Sequence, residues 1–149
     1  MKEKDPVETA KSNYKLGKSL YEQKAYGMAI SALEEAIRLD PRKAVYYLQL
    51  GVSQVKIRQL RREAEANFQK AVELEPWNAE HYAALGRLFY LEKLNHRAES
   101  YFRKALQLDP NNALAKKGLV EVSPGKKSPL DSLQDGLKKI MPSLFDRKK

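Results

Sequence analysis

The sequence predicts an all-α fold of three stacked helix hairpins, followed by a capping helix and an amphipathic C-terminal tail. Two observations carry this prediction. Three consecutive segments of 34 or 35 residues place the same residue types at the same offsets, and apolar residues within them recur at helical spacing. The composition agrees, because 42% hydrophobic and 32% charged residues can supply both a core and a solvated surface.

Each repeat contains a glycine, an alanine, a large apolar residue, a second alanine and a proline. The steps from the first alanine to the large apolar residue, then to the second alanine and then to the proline are 4, 3 and 5 residues in every copy. The step from the glycine to the first alanine is one residue longer in the second copy. We therefore expect an extra residue in the turn at 56–62. A glycine inside a helix costs about 1 kcal/mol relative to alanine, so three in one phase indicate close helix contacts. The residues are Gly17, Ala29, Leu33, Ala36 and Pro41; Gly51, Ala64, Phe68, Ala71 and Pro76; and Gly86, Ala98, Phe102, Ala105 and Pro110.

Each repeat is predicted to form two helices. Asp5 is a suitable N-cap for a first helix over 6–23, with Glu8 as its capping-box partner. Proline disfavours helix in the residue before it, so Pro41 ends the second helix. Gln54 stands where the other repeats are apolar, and we expect an irregularity at the end of that helix.

This arrangement resembles the tetratricopeptide repeat (TPR) family, over about residues 10–110. The resemblance implies a right-handed α-α superhelix with a C-terminal capping helix, because a solenoid must cover its last apolar face. We expect Leu114, Leu119, Val120 and Val122 to cover that face. The expected boundaries are a repeat domain over 1–122, with repeats at about 10–43, 44–78 and 79–112 and a cap at 113–122, then a linker over 123–128 and a basic tail over 129–149.

The resemblance also implies a non-enzymatic scaffold or adaptor that binds a peptide or partner protein in a groove lined by the first helix of each repeat. This lining is basic and aromatic at one end and apolar in the middle, which suits a peptide with apolar anchors and acidic residues. Alternatively, Leu48, Val52 and Val55 pack only against neighbouring side chains. The implied groove residues are Lys11, Tyr14, Lys15, Lys18 and Tyr21; Val45, Leu48, Gln49, Val52, Val55 and Lys56; and Glu80, Ala83, Ala84, Arg87 and Tyr90.

One subclass of the family holds the C-terminal carboxylate of chaperone tails with two lysines, two asparagines and an arginine. None of the five matching positions here carries the same residue, and the glutamate among them would repel a carboxylate. We therefore expect no two-carboxylate clamp. The matching positions are Tyr14, Lys18, Gln49, Glu80 and Ala84.

The residue types present argue against catalysis, metal binding and cofactor binding. The chain has no cysteine, two histidines and no glycine-rich phosphate loop, so no small-molecule substrate is expected. We interpret His81 and His96 as surface or boundary residues. No stretch approaches the roughly 20 apolar residues of a membrane span, and the polar N-terminus is no signal peptide. We expect a cytoplasmic protein.

The tail leaves alternatives open. Residues 123–149 hold seven basic and three acidic side chains, nearly half of the net charge of +9. Leu130, Leu133, Leu137 and Ile140 predict an amphipathic helix over 129–141. We favour a tail that folds back onto the groove or the last repeat. Alternatively, the tail binds a partner or a membrane surface, or it ends one block of a longer chain. Dispersed basic residues argue against a nucleic-acid partner, although a nucleic-acid-associated adaptor using the tail stays an alternative, as does self-association.

Overall fold

The computed structural model describes residues 2–125 and 129–144, and no strand lies within those residues. Three antiparallel helix hairpins stack in chain order, and consecutive helices pack against each other from the first to the seventh. The first helices of successive hairpins also contact one another, which agrees with the predicted all-α superhelix. The hairpins are α1 (Pro6–Glu22) with α2 (Tyr26–Leu39), α3 (Ala44–Val55) with α4 (Arg61–Leu74), and α5 (Ala79–Leu91) with α6 (Asn95–Leu108); α7 (Ala113–Val122) and α8 (Pro129–Ile140) follow.

The first helix begins at its predicted cap. Asp5 Oδ1 accepts a hydrogen bond from the backbone N–H of Val7 at 2.9 Å, which satisfies one of the free donors at the helix N-terminus. Glu8 does not complete the expected capping box; its carboxylate accepts instead from Lys11 Nζ at 2.8 Å. A lysine one turn ahead competes successfully for this exposed carboxylate.

The hairpin turns explain the extra residue in the second repeat. In the first and third turns, Lys24 (φ 62°) and Lys93 (φ 60°) adopt the left-handed conformation that reverses the chain in few residues. The second turn instead contains a single 3₁₀ turn, Arg58–Leu60, as the extra residue predicted. Gln54, near the end of α3, is buried, and its Oε1 accepts a hydrogen bond from Asn67 Nδ2 at 2.8 Å.

Close packing between the two helices of each hairpin depends on the repeat glycines. A Cβ atom built on Gly17 would lie 2.6 Å from Leu33 Cγ, and one on Gly51 would lie 2.5 Å from Phe68 Cε1. Such distances are shorter than real carbon contacts, so only glycine lets the large side chain of the second helix lie directly on the first. The predicted role of these glycines in close approach is confirmed.

The third hairpin makes this contact twice. The ring of Phe102 lies 2.6 Å from the Cβ that Gly86 would carry, and the tip of the same ring, around Cζ, packs against Gly118 of α7. Phe102 is fully buried between the two backbones. Gly118 lies outside the glycine series that the repeat spacing identified, yet it lets the capping helix approach the same ring.

The capping helix covers part of the surface that we expected. Val122 is buried, and Leu119 packs half-buried against the core. Leu114 and Val120, which we also expected to cover the last repeat, are exposed, Val120 by 70%. Val120 follows the first residue of α7 by seven positions, as Gly86 follows the first residue of α5. It therefore occupies the position that would face the second helix of a fourth hairpin.

The core is unevenly distributed along the solenoid. The largest cluster of buried side chains runs continuously through α4, α5, α6 and α7. The first hairpin and its junction with α3 are held by two smaller clusters, one around Tyr46 and one around Leu33 and Leu50.

Among the described residues, α8 packs only against the one-turn segment Pro142–Leu144, so the favoured expectation of a tail folded onto the repeats is not what the structure shows. The sequence of α8 gives a reason. It begins 16 residues after the start of α7, as α6 begins 16 after α5, but Ser132, Gly136 and Lys139 stand where α6 has Ala98, Phe102 and Ala105. Without a large apolar side chain at position 136, α8 cannot repeat the hairpin contact. Residues 126–128 of the expected linker and residues 145–149 of the tail lie outside the described residues.

His81 corrects a sequence-based interpretation. It is 1% exposed rather than at the surface, whereas His96 is exposed as expected. Neither ring nitrogen of His81 has a hydrogen-bond partner among the described residues, and Nε2 lies 3.8 Å from Glu75 Oε1. Burial lowers the pKa of this imidazole, although the carboxylates of Glu75 and Glu80 partly oppose the shift.

Gly51→Ala should lower the free energy of unfolding by about 1–3 kcal/mol, because the new methyl group would overlap the Phe68 ring. Gly27→Ala is the matched control, since a Cβ there meets nothing within 4 Å. It should leave stability unchanged or raise it by up to about 1 kcal/mol. Urea denaturation followed by circular dichroism measures both. Equal effects of the two substitutions would contradict the packing role of Gly51.

Stability should fall in acid partly through His81. Its pKa is lower in the folded than in the unfolded protein, so the unfolded state binds more protons below the ordinary histidine pKa of about 6.5. The free energy of unfolding should therefore decline as the pH drops below that value. His81→Tyr, which installs the residue that α3 has at the same position (Tyr46), should flatten this dependence, whereas His96→Gln should not. Thermal unfolding at pH 7.5 and 5.5 tests it, and parallel slopes in all three proteins would refute it.

Candidate functional site

A groove runs along the first helices of the hairpins and contains a cavity of about 450 Å³. Helices α1, α3, α5 and α7 each contribute at least one wall residue, so the cavity exists only because the hairpins stack in register. Its size lies in the range of about 300–1,000 Å³ that is typical of ligand sites. The lining residues are Tyr21, Val52, Val55, Lys56, Arg61, Phe68, Ala84, Arg87, Leu88, Leu91 and Leu114.

The apolar wall of the cavity is also the edge of the core. Val52 and Val55 are half-buried, pack against the main core cluster and line the cavity. Leu48 packs against the same cluster but does not line the cavity. Val52 and Val55 therefore contribute both to the core and to the cavity wall, while Leu48 contributes to packing alone.

Both arginines that line the cavity pair with carboxylates outside their own helices. Arg61 Nη1 donates to Glu92 Oε1 at 2.8 Å, and Arg87 Nη1 donates to Glu121 Oε2 at 2.8 Å. The guanidinium of Arg87 also lies 5.3 Å from the centre of the Tyr90 ring. These pairs fix the positions of the guanidinium groups and neutralise much of their charge.

Lys56 is the remaining cation of the cavity. Its side chain is exposed, and Nζ lies 5.9 Å from the centre of the Tyr21 ring. Within residues 2–125 and 129–144 it forms no ion pair with a carboxylate, unlike Arg61 and Arg87. Lys56 is therefore the cavity cation that is most available to an acidic ligand.

Aromatic and basic residues gather at the N-terminal end of the groove. The rings of Tyr14 and Tyr46 lie 5.1 Å apart, and Lys18 Nζ lies 5.6 Å from the centre of the Tyr14 ring. Burial and the negative charge of Glu80 raise the pKa of the Tyr14 hydroxyl. The Glu80 carboxylate thus acts on the same end of the groove from α5, two hairpins away.

The other sequence-predicted groove residues take different positions. Lys11 and Lys15 are exposed outside the cavity, Lys11 being paired with Glu8, and Gln49 is half-buried. Ala83 is wholly buried in the main core cluster, so its inclusion in the groove was wrong. Its methyl group is too short to reach the surface from a position where Tyr14 and Leu48 do.

The groove residues implied by the sequence omit several residues that line the cavity. Leu91 had a usable signal, because it follows Gly86 by five residues as Lys56 follows Gly51. Leu114 was assigned to the cap, and Arg61 comes from α4 rather than from a first helix. No sequence signal pointed to either of these two as groove residues.

Within the described residues there is no group of three or more histidine, aspartate or glutamate side chains that could hold a metal ion. Those residues also include no helix of the length and apolar character needed to cross a membrane.

Stacked helix hairpins with a groove along their first helices define an α-helical repeat protein of the protein-interaction class. Family models described as tetratricopeptide repeat match residues 10–43 and 48–113. The chain therefore belongs to the tetratricopeptide repeat family, whose domains are non-enzymatic interaction modules. No curated protein matches the chain in sequence.

Solved structures share this fold. The TPR domain of Arabidopsis OM64 superposes with a TM-score of 0.74 at 25% identity, over 78% of this chain and 96% of that one. The second TPR domain of human RPAP3, in complex with the HSP70 peptide SGPTIEEVD, gives 0.72 at 24% identity over 82% and 99%. The first TPR of Spaghetti, bound to the HSP90 peptide SRMEEVD, gives 0.72 at 21% over 78% and 91%.

Proposed function

We propose that this protein is a scaffold or adaptor that binds a peptide segment of a partner protein in the groove of its repeats. The observation that carries the proposal is the 450 Å³ cavity, which is apolar on one wall, bordered by a cation and built jointly by five helices. Because residues from all three hairpins line the cavity, the binding site depends on the ordered stacking of the repeats. The structural neighbours that hold peptides show that the fold is suited to this use.

The chemistry of the groove defines the ligand. An apolar side chain of the peptide fills the cavity against Val52, Val55 and Leu91, and an acidic side chain close to it in sequence pairs with Lys56. Towards the N-terminal end of the groove, Lys18 can pair with a second acidic side chain of the peptide, and the ring of Tyr14 can contact an aromatic one. Interface energy concentrates on such enclosed anchors, so the apolar residue should dominate affinity and the acidic residues specificity. The groove residues in the proposal are Lys11, Tyr14, Lys15, Lys18, Tyr21, Leu48, Gln49, Val52, Val55, Lys56, Arg87 and Tyr90, with Leu91 and Leu114 added.

The proposed ligand differs from those of the peptide-bound neighbours. Their peptides end in EEVD, and the clamp that the family uses for such ends has no matching residue in this chain. Tyr14, whose pKa is raised by burial and by the nearby Glu80, stands in place of one clamp lysine, and Glu80 itself replaces the other. A terminal carboxylate placed there would meet a negative charge rather than an ammonium group.

A displayed library of random dodecapeptides should yield ligands that combine one large apolar residue with aspartate or glutamate within a few positions. Lys56→Glu should weaken binding of the selected peptides about fivefold or more, because reversing the charge replaces an attraction of about 1 kcal/mol with a repulsion. Fluorescence anisotropy with a labelled selected peptide measures the change.

Lys70→Glu is the matched control, since Lys70 is an exposed lysine of α4 that lies outside the cavity and pairs with Glu73. It makes the same charge change and should leave affinity nearly unchanged. Equal losses in the two variants would show that only net charge matters. Peptides selected without an apolar anchor would exclude the cavity as the binding site.

The peptide SRMEEVD should bind no more tightly than its C-terminally amidated form in the same assay. The reason is electrostatic, since Glu80 opposes a terminal carboxylate and Tyr14 and Glu80 occupy the positions of the two clamp lysines. The C-terminally amidated peptide serves as control. Micromolar binding that is lost on amidation would reveal a carboxylate clamp built from other residues and would overturn this expectation.

A further inference from the structure

Helix α8 presents an apolar stripe that no other described helix covers. Leu130, Leu133, Leu137 and Ile140 are 62%, 63%, 39% and 75% exposed. Met141 and Leu144 continue the exposed apolar surface beyond the helix end. Large apolar side chains that cluster on one exposed face usually mark an interaction surface.

The charges of this region are arranged around the stripe. At 100° per residue the five apolar residues of 130–141 occupy an arc of about 100°, and Asp131 and Asp135 lie on the far side of the helix. Lys138 lies nearer to the apolar arc than either aspartate, whereas Lys139 lies on the far side with them. The sequence adds two lysines before the helix, at 126 and 127, and an arginine and two lysines after it, at 147–149.

We infer that α8 is a membrane-surface anchor, which lies flat on an anionic bilayer with Leu130, Leu133, Leu137 and Ile140 among the acyl chains. The 12 residues of the helix are too few to cross a bilayer. An amphipathic helix with flanking cations has the two contributions, apolar burial and attraction to anionic headgroups, that interfacial binding requires. This inference is independent of the groove and its ligand.

Two features of the protein favour lipid over a protein surface as the occupant. Gly136 stands where the second and third hairpins have Phe68 and Phe102, so α8 cannot pack on another repeat helix in the way that these hairpins do. The groove of a second copy carries Lys56 at its cavity, and residues 123–149, with their net charge of +4, are repelled there. A bilayer needs no shape complementarity and supplies the opposite charge.

The experiment is co-sedimentation of the full chain with vesicles of phosphatidylcholine alone or with about 30% phosphatidylglycerol. We expect binding to the anionic vesicles and its loss at high salt, where screening removes the electrostatic contribution. Lys138→Gln together with Lys139→Gln should lower the partition coefficient on anionic vesicles about thirtyfold, at about fivefold for each charge. Binding to neutral vesicles should not change.

Adjacent residues on opposite faces provide a matched pair. Leu133→Glu and Ser132→Glu introduce the same charge, but only the first removes an apolar side chain from the stripe. Leu133→Glu should lower the partition coefficient at least tenfold more than Ser132→Glu. The thermal unfolding of the repeats should be the same in both, because α8 does not pack on them.

Three results would overturn the inference. The wild-type chain fails to sediment with anionic vesicles at millimolar lipid, or the two glutamate variants lose binding equally. The third is a dimer in sedimentation velocity, without lipid, that Leu133→Glu alone abolishes, which would assign the stripe to a second copy. None of these bears on the groove, whose ligands are tested with peptides in the absence of lipid.

Discussion

The close approach of the two helices in each hairpin is the constraint on which the rest of the structure depends. A large side chain of the second helix lies directly on the backbone of a glycine in the first, as Phe68 does on Gly51. This contact brings the two helix axes close together and leaves the opposite side of the first helix free. Repeated three times in register, it aligns the first helices side by side, and the groove is the surface that they then share.

The features that sequence reasoning predicted well are local and periodic. The repeat, the N-cap at Asp5 and the extra residue near 56–62 can be read from neighbours a few positions away. Features that depend on distant neighbours could not be predicted in the same way. The partner of Gln54 is Asn67 on the next helix, and the burial of His81 results from packing that its own helix does not specify.

The groove was predicted in outline, and its errors share one origin. A stripe drawn from helical register assumes that side chains at equivalent positions reach equally far, and Ala83 does not. The stripe also ignores residues from outside the first helices of the three repeats, so Arg61 and Leu114 were missed, although both line the cavity. Predicting such residues requires the superhelical geometry itself, which determines which turn faces which helix.

The uneven core has a consequence for how the groove works. In a solenoid, where each hairpin is held only by its neighbours, the hairpin with the smallest buried clusters has the lowest free energy of local opening. Here that unit contains Tyr14, Lys18 and Tyr21, the aromatic and basic end of the groove. Amide protons of α1 and α2 would then exchange sooner than those of α5 and α6, and a peptide that reaches this end would order it on binding. Part of its binding energy would be used in that ordering, so the affinity for a partner would depend on the stability of the first hairpin.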